Sequence, residues 1–226
     1  MQGQISLIHI ILEADLVAKA VVLILVLMSI TSGSIILSKC VNFGSITKKN
    51  KVFYDILLSS TSVNNILDKT RNIPDNVSIR MLQAGAGEVN RKEINQASAY
   101  TKQSSKDRSL QAIIGIKNKY LERLEDGISI VGIIGSNAAF VGLFGMVWSM
   151  MNIFRQMSGV KQATISMMAP GIVEAFLITA VGLFVAISSM VSYELLMNKL
   201  DKITNQVNNN SLEIYSLLSR DVDNIE

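Results

Sequence analysis

Residues 127–194 read GISIVGIIGSNAAFVGLFGMVWSMMNIFRQMSGVKQATISMMAPGIVEAFLITAVGLFVAISSMVSYE: two long apolar stretches joined by a short polar turn, with Glu174 the only carboxylate before Glu194. A bilayer is crossed by about 20 residues of helix. The first stretch has no charged residue from Gly127 to Phe154 and predicts a transmembrane helix over 128–153. The second predicts a transmembrane helix over 169–193, starting at Ala169-Pro170, because proline suits the first turn of a helix, where its missing N–H costs nothing. An ionisable group inside such a span costs a few kcal/mol, which makes Glu174 a candidate functional residue. Its position one turn after Pro170 also favours a purely structural role, since an acid stabilises a helix N-terminus.

Working outward, a third apolar run extends over 16–37, from Leu16 to Leu37, with Lys19 close enough to its start to reach toward the headgroups. Small residues crowd Ser29 to Ser34, as at a signal cleavage site, but the basic cluster follows this run instead of preceding it. That order reads as a retained anchor. The whole chain agrees: 226 residues, 49% hydrophobic, with a mean hydropathy of +0.37, are too apolar for an ordinary soluble domain.

Basic residues set the expected orientation. Fifteen Lys and Arg fall in 38–127, against two in the hairpin turn and three in the tail. By the positive-inside rule, residues 1–15 form a periplasmic N-terminus, 38–127 a cytoplasmic helical region, 154–168 a periplasmic turn and 194–226 a cytoplasmic tail. Lys39, Lys48, Lys49 and Lys51 lie next to the first span, where the rule has most force. In the cytoplasmic region Ile94, Ala97, Leu110, Ile113, Ile114, Leu121, Leu124 and Ile128 keep helical spacing and predict a long helix running from about Arg91 straight into the second span. Pro74, Gly85 and Gly87 predict turns before it. After the third span, Leu196, Leu200, Ile203 and Val207 continue the helical spacing until Asn208-Asn209-Asn210, which predicts an interruption. These faces read first as solvated helices with one packed side.

Small residues dominate the spans. Gly171, Ala175, Thr179, Gly182 and Ala186 share one narrow stripe of the third span, and Ala138, Gly142, Gly145 and Ser149 share one in the second. Such stripes let helices approach closely, within one chain or across a homo-oligomer. Thr179 lies on its stripe and either faces a proton route or bonds to a carbonyl one turn back; geometry favours neither. Ser136 and Asn137 are candidates for bonds across helices. No soluble catalytic constellation is present. A lone His9 and a lone Cys40, read as an interfacial imidazole and a packing thiol, exclude His-based triads, an intrachain disulfide and a zinc site, and no phosphate-binding glycine loop occurs. The net charge of +3 gives no footprint for nucleic acid, and no cofactor site is expected.

The run GLFGMVWSMMNIFRQMSGVKQATISMMAPGIVEAFLITAVGLFVAI, residues 142–187, resembles the signature hairpin of the TolQ/ExbB/MotA family of inner-membrane motor stators, in its TolQ branch. DLVAKAVVLILVLMSITSGSIIL and NKYLERLEDGISIVGIIGSNAAFVGLFG extend the likeness over nearly the whole chain. The resemblance implies an all-α membrane protein with three transmembrane helices, long helices extending into the cytoplasm, and a pentameric ring around a dimer of TolR-like single-span partners. It also implies that proton movement there energises a TolA-like protein, supporting outer-membrane integrity and constriction at division. The resemblance further implies that the key acid belongs to the TolR-like partner while threonines of the second and third spans line the route; Thr179 matches the third-span threonine and Glu174 the family's acid at the start of that span. Met146 stands where the family's GLFGT run has threonine, and Ser149, three residues on, is the candidate to supply the missing hydroxyl. Ala139 and Ser188 stand where prolines are usual, which predicts straighter helices. Two other classes remain: a stator of ExbB type energising TonB-dependent uptake, and a ring that binds partner helices without conducting protons.

Overall fold

The computed structural model describes residues 15–58, 66, 69, 76–89, 99–158 and 164–223. The readings made for His9, Pro74, Arg91, Ile94, Ala97 and residues 159–163 lie outside these. Among the described residues the regular structure is helical: α1 Leu16–Leu58, α2 Val77–Val89, α3 Ala99–Glu125, α4 Ile128–Met157 and α5 Ile165–Asp223. Helices are what apolar sequence must form where no water can bond the backbone, because each N–H and C=O is then satisfied within the segment. Three helical stretches, Leu16–Leu57, Lys102–Met157 and Ile165–Asp223, are long and apolar enough to cross a membrane. With 43 residues in α1 and 59 in α5, both outrun the ~20 that one crossing uses.

The chain divides into two compact units, Met1–Ser38 with Gly127–Leu196, and Lys39–Asp126 with Met197–Glu226. The first unit packs the early part of α1 against α4 and the early part of α5. Its core holds Ala18, Val21 and Leu25 from α1, Ile134 and Ala138 from α4, and Ile178, Val185 and Ala186 from α5, each set at helical spacing. The other faces expose large apolar side chains, among them Leu23, Ile133, Phe140, Phe144, Phe176 and Phe184. Small residues inside and bulky apolar ones outside is the arrangement lipid favours, since lipid offers no hydrophobic penalty and close packing supplies the attraction. A buried hydroxyl pair, Ser32 Oγ and Ser189 Oγ at 2.8 Å, joins α1 to α5.

The second unit has a different chemistry. Its buried apolar residues include Phe43, Phe53, Met81, Leu82 and Ile113, and Leu200, Ile203, Val207, Ile214, Leu218 and Val222 of α5. Polar links pin the helices together. Lys39 Nζ donates to the Leu124 carbonyl at 2.8 Å, satisfying one of the orphan acceptors at the end of α3. Lys106 pairs with Asp223 at 2.7 Å. Asn210 Nδ2 donates to Ser78 Oγ at 2.9 Å, with both side chains buried. Ser78→Ala leaves that amide without its acceptor, and the expected cost is about 1–3 kcal/mol. Thermal unfolding in detergent measures it; an unchanged midpoint would mean the bond carries no net stability.

Several expectations are corrected. The helix from the cytoplasmic region does not run unbroken into the second span: α3 ends at Glu125 and α4 begins at Ile128, with Gly127 between them at φ +82°. Only glycine takes that backbone without strain, so the Asp126-Gly127 pair is a stop within an otherwise helical pattern. α5 starts at Ile165, placing Pro170 inside the helix instead of in its first turn. This deprives a single carbonyl, that of Ser166, of its helical donor near the helix end. Asn208-Asn209-Asn210 does not interrupt α5, because the buried bond to Ser78 and the apolar residues on either side override the poor helix propensity of asparagine. Cys40 is exposed, so it is not a packing thiol.

Candidate functional site

α4 and α5 of the first unit touch through backbone. A Cβ added at Gly182 would lie 2.8 Å from Gly142 Cα and 2.9 Å from the Ala138 carbonyl oxygen. These separations are shorter than a methyl group tolerates, so glycine is what the approach requires. Gly145 faces the side chains of Val21 and Ile178, and Gly171 that of Ile153, which would have to shift to admit a Cβ. Ala175 and Ala186 are buried in the same seam. The stripes of small residues therefore meet each other and α1 within one chain.

At one end of this seam the helices part around a cavity of about 330 Å³. Asp15, Ser149, Asn152, Gly171 and Glu174 line it, together with the thioethers of Met157, Met167 and Met168. Ser149 is 6% exposed, and its Oγ has no hydrogen-bond partner among the protein's own groups. Glu174 is half-buried, and Lys19 lies within electrostatic reach of it. Asp15 is exposed, directly precedes α1, and accepts a hydrogen bond from Trp148 Nε1 at 2.9 Å. Arg155 bonds Asn152 Oδ1 at 3.0 Å and acts electrostatically on Asp15.

The cavity unites Ser149 with Glu174 but not the other polar candidates. Thr179 is half-buried and donates to the Ala175 carbonyl one turn back at 3.2 Å. Met146 is half-buried and does not line the cavity. Ser136 and Asn137 both bond to the Ile133 carbonyl of their own helix, at 3.1 and 2.8 Å, in place of the expected bonds across helices. Asp15 and Trp148 escaped the sequence reading, since 133 residues separate them and neither belongs to a motif. The available signal was the lone tryptophan near a span end, where indoles commonly settle.

The Trp148 indole holds the Asp15 carboxyl below its ordinary 3.8. A lowered carboxylate contributes stability above its unfolded value and loses it as pH falls through the folded one. Emission from this single tryptophan is therefore expected to change with a midpoint below 3.8, and Asp15→Asn abolishes the transition. A titration centred above 3.8 would contradict the contact.

Residues 77–209 match the model of the MotA/TolQ/ExbB proton channel family, over more than half of the chain. The chain belongs to this family. Among relatives in the MotA/TolQ/ExbB family, the Tol-Pal system protein TolQ of Haemophilus influenzae is 29% identical over 222 residues, covering 97% of this chain and 96% of the relative. TolQ of Pseudomonas aeruginosa is 31% identical over 80% of this chain and 78% of its own. The biopolymer transport protein ExbB of Salmonella typhimurium is 30% identical over 99% of this chain and 90% of its own. The family match includes α4, the Glu174 segment of α5 and the glycine seam between them.

Proposed function

We propose that this chain is a TolQ-type inner-membrane proton-channel subunit, a homo-pentamer surrounding TolR-like single-span helices and driving a TolA-like protein. The transported ion is the proton, and the work delivered serves outer-membrane integrity and constriction during cell division. In this reading residues 1–15 and 154–168 are periplasmic, 38–127 and 194–226 cytoplasmic, and the spans are 16–37, 128–153 and 169–193. The division of the chain into two units near these borders supports that map. The observation that carries the proposal is Glu174, a carboxylate within an apolar span that lines a cavity together with a buried hydroxyl. Lipid penalises such a group, so its retention calls for a task that uses its charge.

In this scheme the key acid belongs to the TolR-like partner and Glu174 is this chain's own titrating group on the proton path, with Thr179 beside the route and Met146 replacing a hydroxyl. A breathing motion that frees Thr179 from the Ala175 carbonyl lets its Oγ1 take part. Copurification with a TolR-like single-span partner, followed by mass measurement and proton-flux assay in vesicles, tests the proposal. Five copies and a flux that requires the partner are expected. A sealed complex that moves no protons would leave only the non-conducting ring.

The 30% identity to ExbB over 99% of this chain keeps an ExbB-type stator, energising TonB-dependent uptake, as the second reading. The two diverge in the partner that copurifies.

A further inference from the structure

We propose that the cavity at Asp15, Ser149 and Glu174 is a water-filled antechamber in which the Ser149 hydroxyl relays protons to the Glu174 carboxylate. The inference rests on the proton-coupled reading above and assigns the step before Glu174. Its starting point is the behaviour of hydroxyls elsewhere in these helices. Thr31, Thr179, Ser188 and Ser192 each donate to the carbonyl four residues back in their own helix, at 2.8, 3.2, 2.8 and 2.7 Å. That back-bond is the ordinary way for an apolar helix to satisfy a hydroxyl. Ser149, more deeply buried than any of these, makes no such bond.

An orphaned buried hydroxyl is costly in an apolar setting. Ser149 lines the cavity, and its Oγ, enclosed in this rotamer, reaches the cavity's water by turning about the Cα–Cβ bond. At about 330 Å³ the cavity has room for on the order of ten waters. Its polar lining supplies the several partners that ordered water needs: two carboxylates, the hydroxyl and the Asn152 amide. The carboxylates favour a positive occupant, and Trp148 fixes one of them, Asp15, at the exposed end. The charged groups acting on the pair are Lys19 on Glu174 and Arg155 on Asp15.

The step balances without any further reactant. A hydronium drawn in by Asp15 passes its proton along water to Ser149 Oγ. As that oxygen accepts the proton, it releases its own to the next water, and the ionised Glu174 carboxylate takes up the proton that emerges. Ser149 is unchanged, Glu174 becomes neutral, and one proton has moved inward.

The test uses the full complex with its single-span partner in sealed vesicles. Ser149→Ala is expected to lower proton flux roughly tenfold, and Ser149→Thr to retain it, because a positioned proton-transfer group contributes at least that much. In a Cys40→Ser background, the Ser149→Cys variant is expected to react with a small, membrane-impermeant quaternary-ammonium methanethiosulfonate, and more slowly once Asp15→Asn removes the attracting charge. Ala138→Cys, in the dry core, is the unreactive reference.

The relay is overturned if wild-type and Ser149→Ala complexes conduct equally, or if the Ser149→Cys variant reacts no faster than the Ala138→Cys reference. A flux driven by a sodium gradient and not by a proton gradient would overturn it too. Wild-type flux that persists in Ser149→Ala removes this inference alone, whereas a wild-type complex without proton flux removes the functional reading as well.

Discussion

Glu174→Gln is expected to bring proton-driven function down by about 10²-fold or more, the range seen when a positioned acid–base group is lost. Glutamine keeps the shape and the polar carbonyl but cannot exchange a proton at neutral pH, so the variant separates titration from packing. The cavity around Glu174 supports this separation, because a side chain facing open space is not what holds α4 and α5 together. Assembly, read as the mass of the complex with its partner, is expected to match wild type. Proton flux in vesicles and growth under detergent stress are the readouts. Glu174→Asp, which retracts the carboxylate by one methylene, is expected to keep part of the flux. Full flux in Glu174→Gln would show that no proton passes through this group.

The second large effect is structural. Gly182→Val is expected to destabilise the helical hairpin by about 3 kcal/mol or more, at or beyond the upper end of ordinary overpacking. The reason is what the new side chain would meet: Gly142 Cα at 2.8 Å and the Ala138 carbonyl at 2.9 Å, both backbone atoms that no rotamer change can move aside. Gly142→Val fails for the mirror reason, and combining the two does not rescue either. Gly33→Ala is the control. Nothing lies within 4 Å of a Cβ there, so it is expected to be neutral or slightly stabilising. Thermal denaturation and protease resistance in detergent give the comparison. Equal stability of Gly182→Val and Gly33→Ala would refute the backbone contact.

The sequence carried the helical spans and the placement of Glu174 because hydropathy and charge are local quantities, readable residue by residue. The small-residue registers at Gly142, Gly145 and Ser149, and at Ala175, Gly182 and Ala186, were likewise legible from helical spacing. Their destination was not, since a stripe does not say which helix covers it. The break at Gly127 was hidden by an apolar pattern that continues on both sides, although the Asp126-Gly127 pair signals a turn. The Asn208-Asn210 run misled in the opposite direction: its local preference is weak beside a buried bond to Ser78, made by a residue far away in the chain. The Asp15–Trp148 and Ser32–Ser189 contacts depend wholly on tertiary approach, so no window along the chain could reveal them.

The closeness of Gly142 and Gly182 has a consequence for molecular recognition. Both glycines already face each other, so neither offers its notch to a visiting helix. Whatever sits beside this hairpin instead encounters a corrugated hull of aromatic rings and branched chains, with Phe140, Phe144, Phe176 and Phe184 as its ridges. Selectivity among neighbours then comes from how such knobs interlock, and sequence drift on the hull retunes companionship without disturbing the keel beneath.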